Sequence, residues 1–312
     1  VSAGGHELVV APVVLILSFR QAARALGRAR AGAELLVLAG YGYALEVAAR
    51  AAFHSHEYGP AWRVAPLGVP VAVALVWAAL ITAVMAASAR LGARTALQRA
   101  LLAALIAVTV DMLMEPVAVR QGLWRWTPPG AWLGVPVGNF VGWGVIVGVY
   151  TFGAERAVLM APLPRLMAQR VLLAGLSLGA LLGVGAAWRS LDIEPVFGLA
   201  AGWTVWTVAV LLAVTRAARS AAGTPIVGST VATRLAATPG VEPELVIAIL
   251  VGAFAVDALV LGGGAAVVAA GALLVVAAVV ARTLRFALTD QWRSRRLARF
   301  AAVQGLVVVL MK

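Results

Sequence analysis

The sequence predicts an all-α fold, a polytopic transmembrane helical bundle of eight or nine spans. Three observations carry this prediction. The 312 residues are 62% hydrophobic and 12% charged, with a mean hydropathy of +0.97. A water-soluble domain carries about 25% charged residues and could not hide this excess of hydrocarbon in one core. Apolar runs close to the ~20 residues that a bilayer core requires recur along the chain. Between those runs arginine gathers with a strong bias to one side.

Taken in order, the spans lie near 7–20, 33–53, 66–89, 97–119, 135–154, 170–188, 195–215, 243–261 and 265–284. The first is short and holds Pro12, and the last two share the tight turn Gly262-Gly263-Gly264, so the count could fall to eight. Arg20, Arg24, Arg28 and Arg30 follow the first span, Arg90, Arg94 and Arg99 the third, and Arg156, Arg165 and Arg170 the fifth. Arg216, Arg219 and Arg234 follow the seventh, and Arg282, Arg285, Arg293, Arg295, Arg296 and Arg299 the last. Nineteen arginines thus fall on one side and five, Arg50, Arg63, Arg120, Arg125 and Arg189, on the other.

Because cytoplasmic loops collect positive charge, this bias predicts an integral protein of the cytoplasmic (inner) membrane, N-terminus outside and C-terminus inside. The expected organisation is a single transmembrane domain over 1–312. In it 33–89 and 97–154 are repeated hairpin units, 170–285 are additional helices and 286–312 is a basic tail. Segment 20–32 reads as an interfacial helix, and the tail as an anchor to anionic membrane lipids. Val1 to Glu7 has no basic n-region or small-residue cleavage site, so no secretory signal is expected.

The same composition narrows the chemistry. There is no cysteine, which removes disulfides, thiolate nucleophiles and cysteine-ligated iron–sulfur clusters. Three histidines, His6, His54 and His56, are too few for a His-rich di-iron site, and no glycine-rich turn joins a predicted strand to a helix. An enzyme built on this chain is expected to be redox-free, with no cofactor and no metal. The net charge of +12 is spread between apolar runs rather than along one stripe, so it describes membrane topology and not a nucleic-acid partner.

One self-similarity goes beyond composition. Gly68-Val69-Pro70-Val71 is followed by Trp77, and Gly134-Val135-Pro136-Val137 by Trp143, with nine residues from glycine to tryptophan in each. Each copy opens a span, and each is preceded by an aromatic-rich loop and a span with acid near its outer end. Two hairpins of the same orientation and plan are expected. Glycine permits the turn, and proline in the first helical turn sacrifices no hydrogen bond.

The acids are the sharpest signal. Asp111 and Glu115 are four apart, which on a helix places them on one face about 6 Å apart along the axis. Carboxylates inside a span are costly unless paired or protonated and mark functional sites by default. Two so close are expected to share a proton, giving an acid beside a base. A structural ion pair with Arg120 or Arg125 is the competing use. Pro116 is expected to end or kink the helix and to leave a carbonyl near Met112 without its amide. Glu46, beside Tyr41 and Tyr43, either joins the acids or pairs with Arg50 at i+4. Asp257 stands in an apolar run with nothing polar one turn away, and Glu34 is expected to pair with the preceding arginines.

Asn139 shares a helical face with Trp143 and could orient water or a carboxylate, or bridge helices. Trp124, Trp126 and Trp132 suit either an interfacial belt or stacking on a polyene and stabilising a carbocation. His54, His56 and Glu57 imitate a metal cluster, but i, i+2 spacing does not share a helical face, and a loop position is expected.

Asp111-Met-Leu-Met-Glu115-Pro116, Gly122-Leu-Trp124-Arg-Trp126 and Gly134-Val-Pro136 with Asn139-Phe-Val-Gly142-Trp143 resemble the signature of the integral-membrane carotenoid biosynthesis protein family. The stretch from Glu46 to Tyr58-Gly59, then Gly68-Val-Pro70 and Trp77, is similar to that family's first unit. The likeness covers roughly 34–154 and fades beyond about 170. The loop between Glu46 and Gly68 lacks the family's glycine-rich, aromatic run, and the C-terminal half is alanine and valine with few polar landmarks.

The resemblance implies a carotenoid 1,2-hydratase of the γ-carotene or bisanhydrobacterioruberin type, taking an apolar carotenoid from the bilayer. It implies one of Asp111 and Glu115 as general acid and the other, or Glu46, as base, with Asn139 positioning water. Trp77, Trp124, Trp126, Trp143, Tyr43 and Tyr58 would hold substrate. Two alternatives stay open: a membrane carotenoid or isoprenoid cyclase, and a proton-coupled transporter of an apolar substrate.

Overall fold

The computed structural model describes residues 2–91, 93–157, 161–190, 234–235, 237–238 and 240–261, with a few positions between 201 and 212. Among the described residues the chain is an all-α bundle. Helices α1 (Ala3–Leu26), α2 (Arg28–Phe53), α3 (Val71–Arg90), α4 (Ala96–Arg120) and α5 (Val137–Arg156) are followed by α6 (Leu163–Ser190) and α7 (Glu242–Leu261). Helices α1 to α6 each contain a stretch long and apolar enough to cross a bilayer. The protein is integral to a membrane. The expected spans 195–215 and 265–284 and the tail 286–312 lie outside the described residues, scattered positions of the first apart.

Helix α3 is the axis of the bundle: 78% of its apolar window is buried against protein, against 11% for α6. Its buried face is largely alanine, Ala72, Ala74, Ala78, Ala79, Ala83 and Ala86 among others, and small side chains let neighbouring backbones approach closely. α1, α2, α4 and α7 pack on it, while α6 lies against α2 and α5. Leu36, Leu101, Leu172 and Leu176 point outward, as lipid-facing side chains do in a span that is apolar all round.

Several boundaries differ from expectation, each for a local reason. No separate interfacial helix covers 20–32: α1 runs on to Leu26 and α2 starts at Arg28, the break being Gly27 at φ +86°. α3 and α5 begin at Val71 and Val137 because Pro70 and Pro136 are their N-caps rather than first-turn residues. α4 continues through Pro116 to Arg120 instead of ending there. The Met112 carbonyl that proline deprives of its amide accepts the Trp132 indole N–H at 3.3 Å. Glu34 pairs not with the preceding arginines but with Arg170 of α6, at 2.6 Å, and also accepts the Tyr150 hydroxyl.

The duplicated unit has a duplicated shape. Leu67-Gly68 and Leu133-Gly134 both have positive φ, and Val69 and Val135 are both fully buried. Strand β1 (His56–Tyr58) follows α2, strand β2 (Trp124–Trp126) follows α4, and the two pair antiparallel with Tyr58 opposite Trp124. Those two residues lie ten positions ahead of their own unit's glycine. Trp77 and Trp143, equally equivalent, stack with centroids 4.3 Å apart. Equivalent residues that touch each other define a local two-fold axis along the bundle, with both hairpin connections at one end.

Candidate functional site

That end holds a pocket open to its surroundings, with about 790 Å³ of space when the mouth is included. It is built from the ends of helices and the two-stranded ribbon. α2 brings Glu46, α4 brings Asp111 and Glu115, α5 brings Asn139 and Trp143, and α3 brings Trp77. The ribbon brings His56, Tyr58, Trp124 and Trp126. Alternation along a strand puts i and i+2 on one face, so Trp124 and Trp126 point the same way, and so do His56 and Tyr58.

Each carboxylate has its own partners. Asp111, 1% exposed, accepts Asn139 Nδ2 at 2.7 Å on Oδ2. Glu115 accepts two indole N–H groups on one oxygen, Oε2: Trp124 at 2.8 Å and Trp126 at 3.0 Å. Glu46 Oε2 lies 3.0 Å from His56 Nε2, an ion-pair contact not aligned as a hydrogen bond. His56 Nδ1 meets Ser55 Oγ at 3.0 Å, and its ring packs on Tyr58 and Trp126. Burial first, and then the charge of Glu46 and a hydrogen bond to it, push the Tyr58 hydroxyl well above its usual range, which keeps it a neutral donor.

Two of the arginines that could compete for these acids are engaged elsewhere. Arg125 pairs with Glu57 at 2.5 Å across the exposed face of the ribbon, and holds that carboxyl below its usual range. Arg50, the alternative partner for Glu46, donates to the Leu67 carbonyl at 2.9 Å and lies over the Tyr58 ring. Among the described residues no group of three or more His, Asp or Glu is arranged to hold a metal ion.

The structure gathers Asp111, Glu115, Glu46, Asn139, Trp124, Trp126, Trp143, Trp77 and Tyr58 around this pocket. Tyr43 is not there: its hydroxyl donates to the Pro66 carbonyl at 2.6 Å. Asp257 lies on α7, and its side chain is outside the described residues. Sequence reasoning missed His56, His6, Val10, Trp62, Leu250 and Phe254, all of which line the pocket. For His56 a signal existed, since the alternation His56-Glu57-Tyr58 that fails on a helix is that of a strand. His54 is the exposed, left-handed C-cap of α2.

The arrangement is three carboxylates, each with a polar partner, inside an aromatic and aliphatic cage. It can deliver a proton to an apolar substrate and receive one from water. Compared with known proteins, residues 5–210 match the family model described as carotenoid biosynthesis protein. Neither a curated protein nor a solved structure matches the chain.

Proposed function

Because the chain belongs to the carotenoid biosynthesis protein family, we propose that it adds water across the terminal 1,2 double bond of an acyclic carotenoid end. The observation that carries this reading is Asp111 and Glu115, buried side by side in an aromatic pocket and each oriented by a hydrogen-bond donor. Asp111, with Oδ2 engaged by Asn139, is the general acid: its proton goes to carbon 2, the π bond breaks and a tertiary cation forms at carbon 1. Water attacks carbon 1, the carbon–oxygen bond forms, and a carboxylate takes the released proton. Glu115, with two donors on one oxygen, is the better seat for negative charge and takes the base role, with Glu46 beside it. Proton transfer between the neighbouring acids resets the site. The faces of Trp77 and Trp143 suit a transient cation and the polyene behind it.

The substrate enters sideways from the bilayer. The arginine bias orients the protein in the cytoplasmic membrane with the N-terminus outside, the C-terminus inside and the pocket toward the outer face. The test is expression in cells that make lycopene or γ-carotene, with Asp111→Asn as control. A product heavier by one water that disappears in the variant supports the reading. An isomer of unchanged mass would instead indicate a cyclase, in which an internal alkene captures the cation. An unmodified carotenoid, with the protein inserted in the membrane, would favour the transporter.

A further inference from the structure

The carboxylates occupy only part of the pocket wall. Besides residues of α2, α3, α4, α5 and the ribbon, the wall includes His6 and Val10 of α1, Trp62 of the connecting loop, and Leu250 and Phe254 of α7. Helix α7 lies beyond residues 5–210, the segment that the family model matches. Leu250 and Phe254 are one turn apart on one face and 1% and 4% exposed. His6 opens a π-helical turn, His6–Val10, and its ring stacks on Phe254 with centroids 4.8 Å apart and planes 21° apart. π-turns are rare and concentrate at functional sites, and both ends of this one face the pocket.

The other end of α7 is fixed. Arg24 of α1 pairs with Glu242 at 2.5 Å, and Arg90 of α3 pairs with Glu244 at 2.6 Å. Arg90 also donates to the carbonyls of Thr238 and Gly240, and Gln21 to that of Leu235. These ties set the height and rotation of α7, and so the depth at which Leu250 and Phe254 meet the cavity.

We infer that α7 is the specificity wall of the site: Leu250 and Phe254, with Phe254 held by His6, select which carotenoid end enters. Acid–base chemistry at a trisubstituted alkene is indifferent to what the carbons beyond it carry. The features that distinguish one acyclic end from another are apolar branches, and only the shape of an apolar wall can read them. The inference rests on a carotenoid being the ligand, as proposed above, but not on its hydration.

The experiment purifies the membrane protein from cells containing both lycopene and a C50 acyclic carotenoid with an isopentenyl branch near its end. It measures the ratio of the two that co-purify and, separately, the mass of any product. A ratio is independent of how much of a variant folds. Phe254→Leu enlarges the cavity and should raise the share of the branched carotenoid; Leu250→Phe fills it and should lower that share. A change of volume of this kind in an apolar pocket shifts selectivity about 10- to 200-fold. Ratios within about twofold of wild type in both variants would overturn the inference. Water-free products from a wild-type protein whose bound ratio responds to the variants would overturn the hydratase reading alone.

Discussion

Replacing Trp124 and Trp126 by phenylalanine removes two hydrogen-bond donors from Glu115 while leaving an aromatic ring at each position. Both indole N–H groups converge on Oε2, at 2.8 and 3.0 Å, inside a pocket where water competes poorly. A hydrogen bond to a charged group is worth about 1.5–3 kcal/mol, and about 1.4 kcal/mol is tenfold in rate. Each single variant is therefore expected to lower kcat about 10- to 100-fold. The double variant should lose less than the product of the two, because the donors share one acceptor atom. KM should change little, since the rings remain to contact the substrate. The assay is the initial rate of hydrated product in isolated membranes, normalised to the amount of inserted protein. A double variant whose kcat stays within about threefold of wild type would refute the claim that these donors hold Glu115 for the reaction.

Three further outcomes follow from the geometry. Glu34→Gln leaves Arg170, 1% exposed, without its carboxylate; stranding a buried charge costs about 3–5 kcal/mol, so the Tm in detergent should fall, and an unchanged Tm contradicts the account. Gly42→Ala would place a Cβ 2.9 Å from Trp77 Cγ, displacing Trp77 from Trp143. Activity should drop with membrane insertion intact and the near-ultraviolet dichroism of the tryptophan pair should change, whereas full activity would mean that the stack is dispensable. Tyr58 holds its proton well above the ordinary value of 10.0 in the folded protein, so its contribution to stability is complete below that pH. The contribution is lost as pH rises through the folded value; Tyr58→Phe should flatten this alkaline loss, and an identical Tm–pH profile would show that Tyr58 does not contribute to it.

Much of the architecture was legible because bilayer spans are written in composition. Runs of twenty apolar residues and the arginines between them locate α2, α3, α4 and α5 to within a few residues. The site was legible where its chemistry is expensive: buried acids at helical spacing, Asp111 and Glu115, stand out against alanine and valine, and Asn139 reaches Asp111 across two helices. What escaped depends on long-range pairing. The alternation His56-Glu57-Tyr58 is too short to fix a strand by itself, and its partner, 124–126, lies in the other repeat unit. Without that ribbon neither His56 against Glu46 nor the two indoles on Glu115 could be foreseen. Tyr43 is near Glu46 in sequence, yet its hydroxyl reaches out of the helix to the Pro66 carbonyl of the following loop and not into the pocket. α7 gave no warning either, since the run 245–256 around Leu250 and Phe254 is apolar throughout and has no periodicity to show which face meets a cavity.

The central claim is that the alkene receives its proton at carbon 2 and its oxygen at carbon 1 from water, with Asp111 delivering the proton. Isolated membranes incubated with an acyclic carotenoid in deuterated, oxygen-18 water test it most directly. The account predicts a product with oxygen-18 on carbon 1 and one deuterium on carbon 2, formed by the wild type and not by Asp111→Asn. Unlabelled oxygen in the product, label that enters without deuterium, or equal labelling in the variant would contradict it.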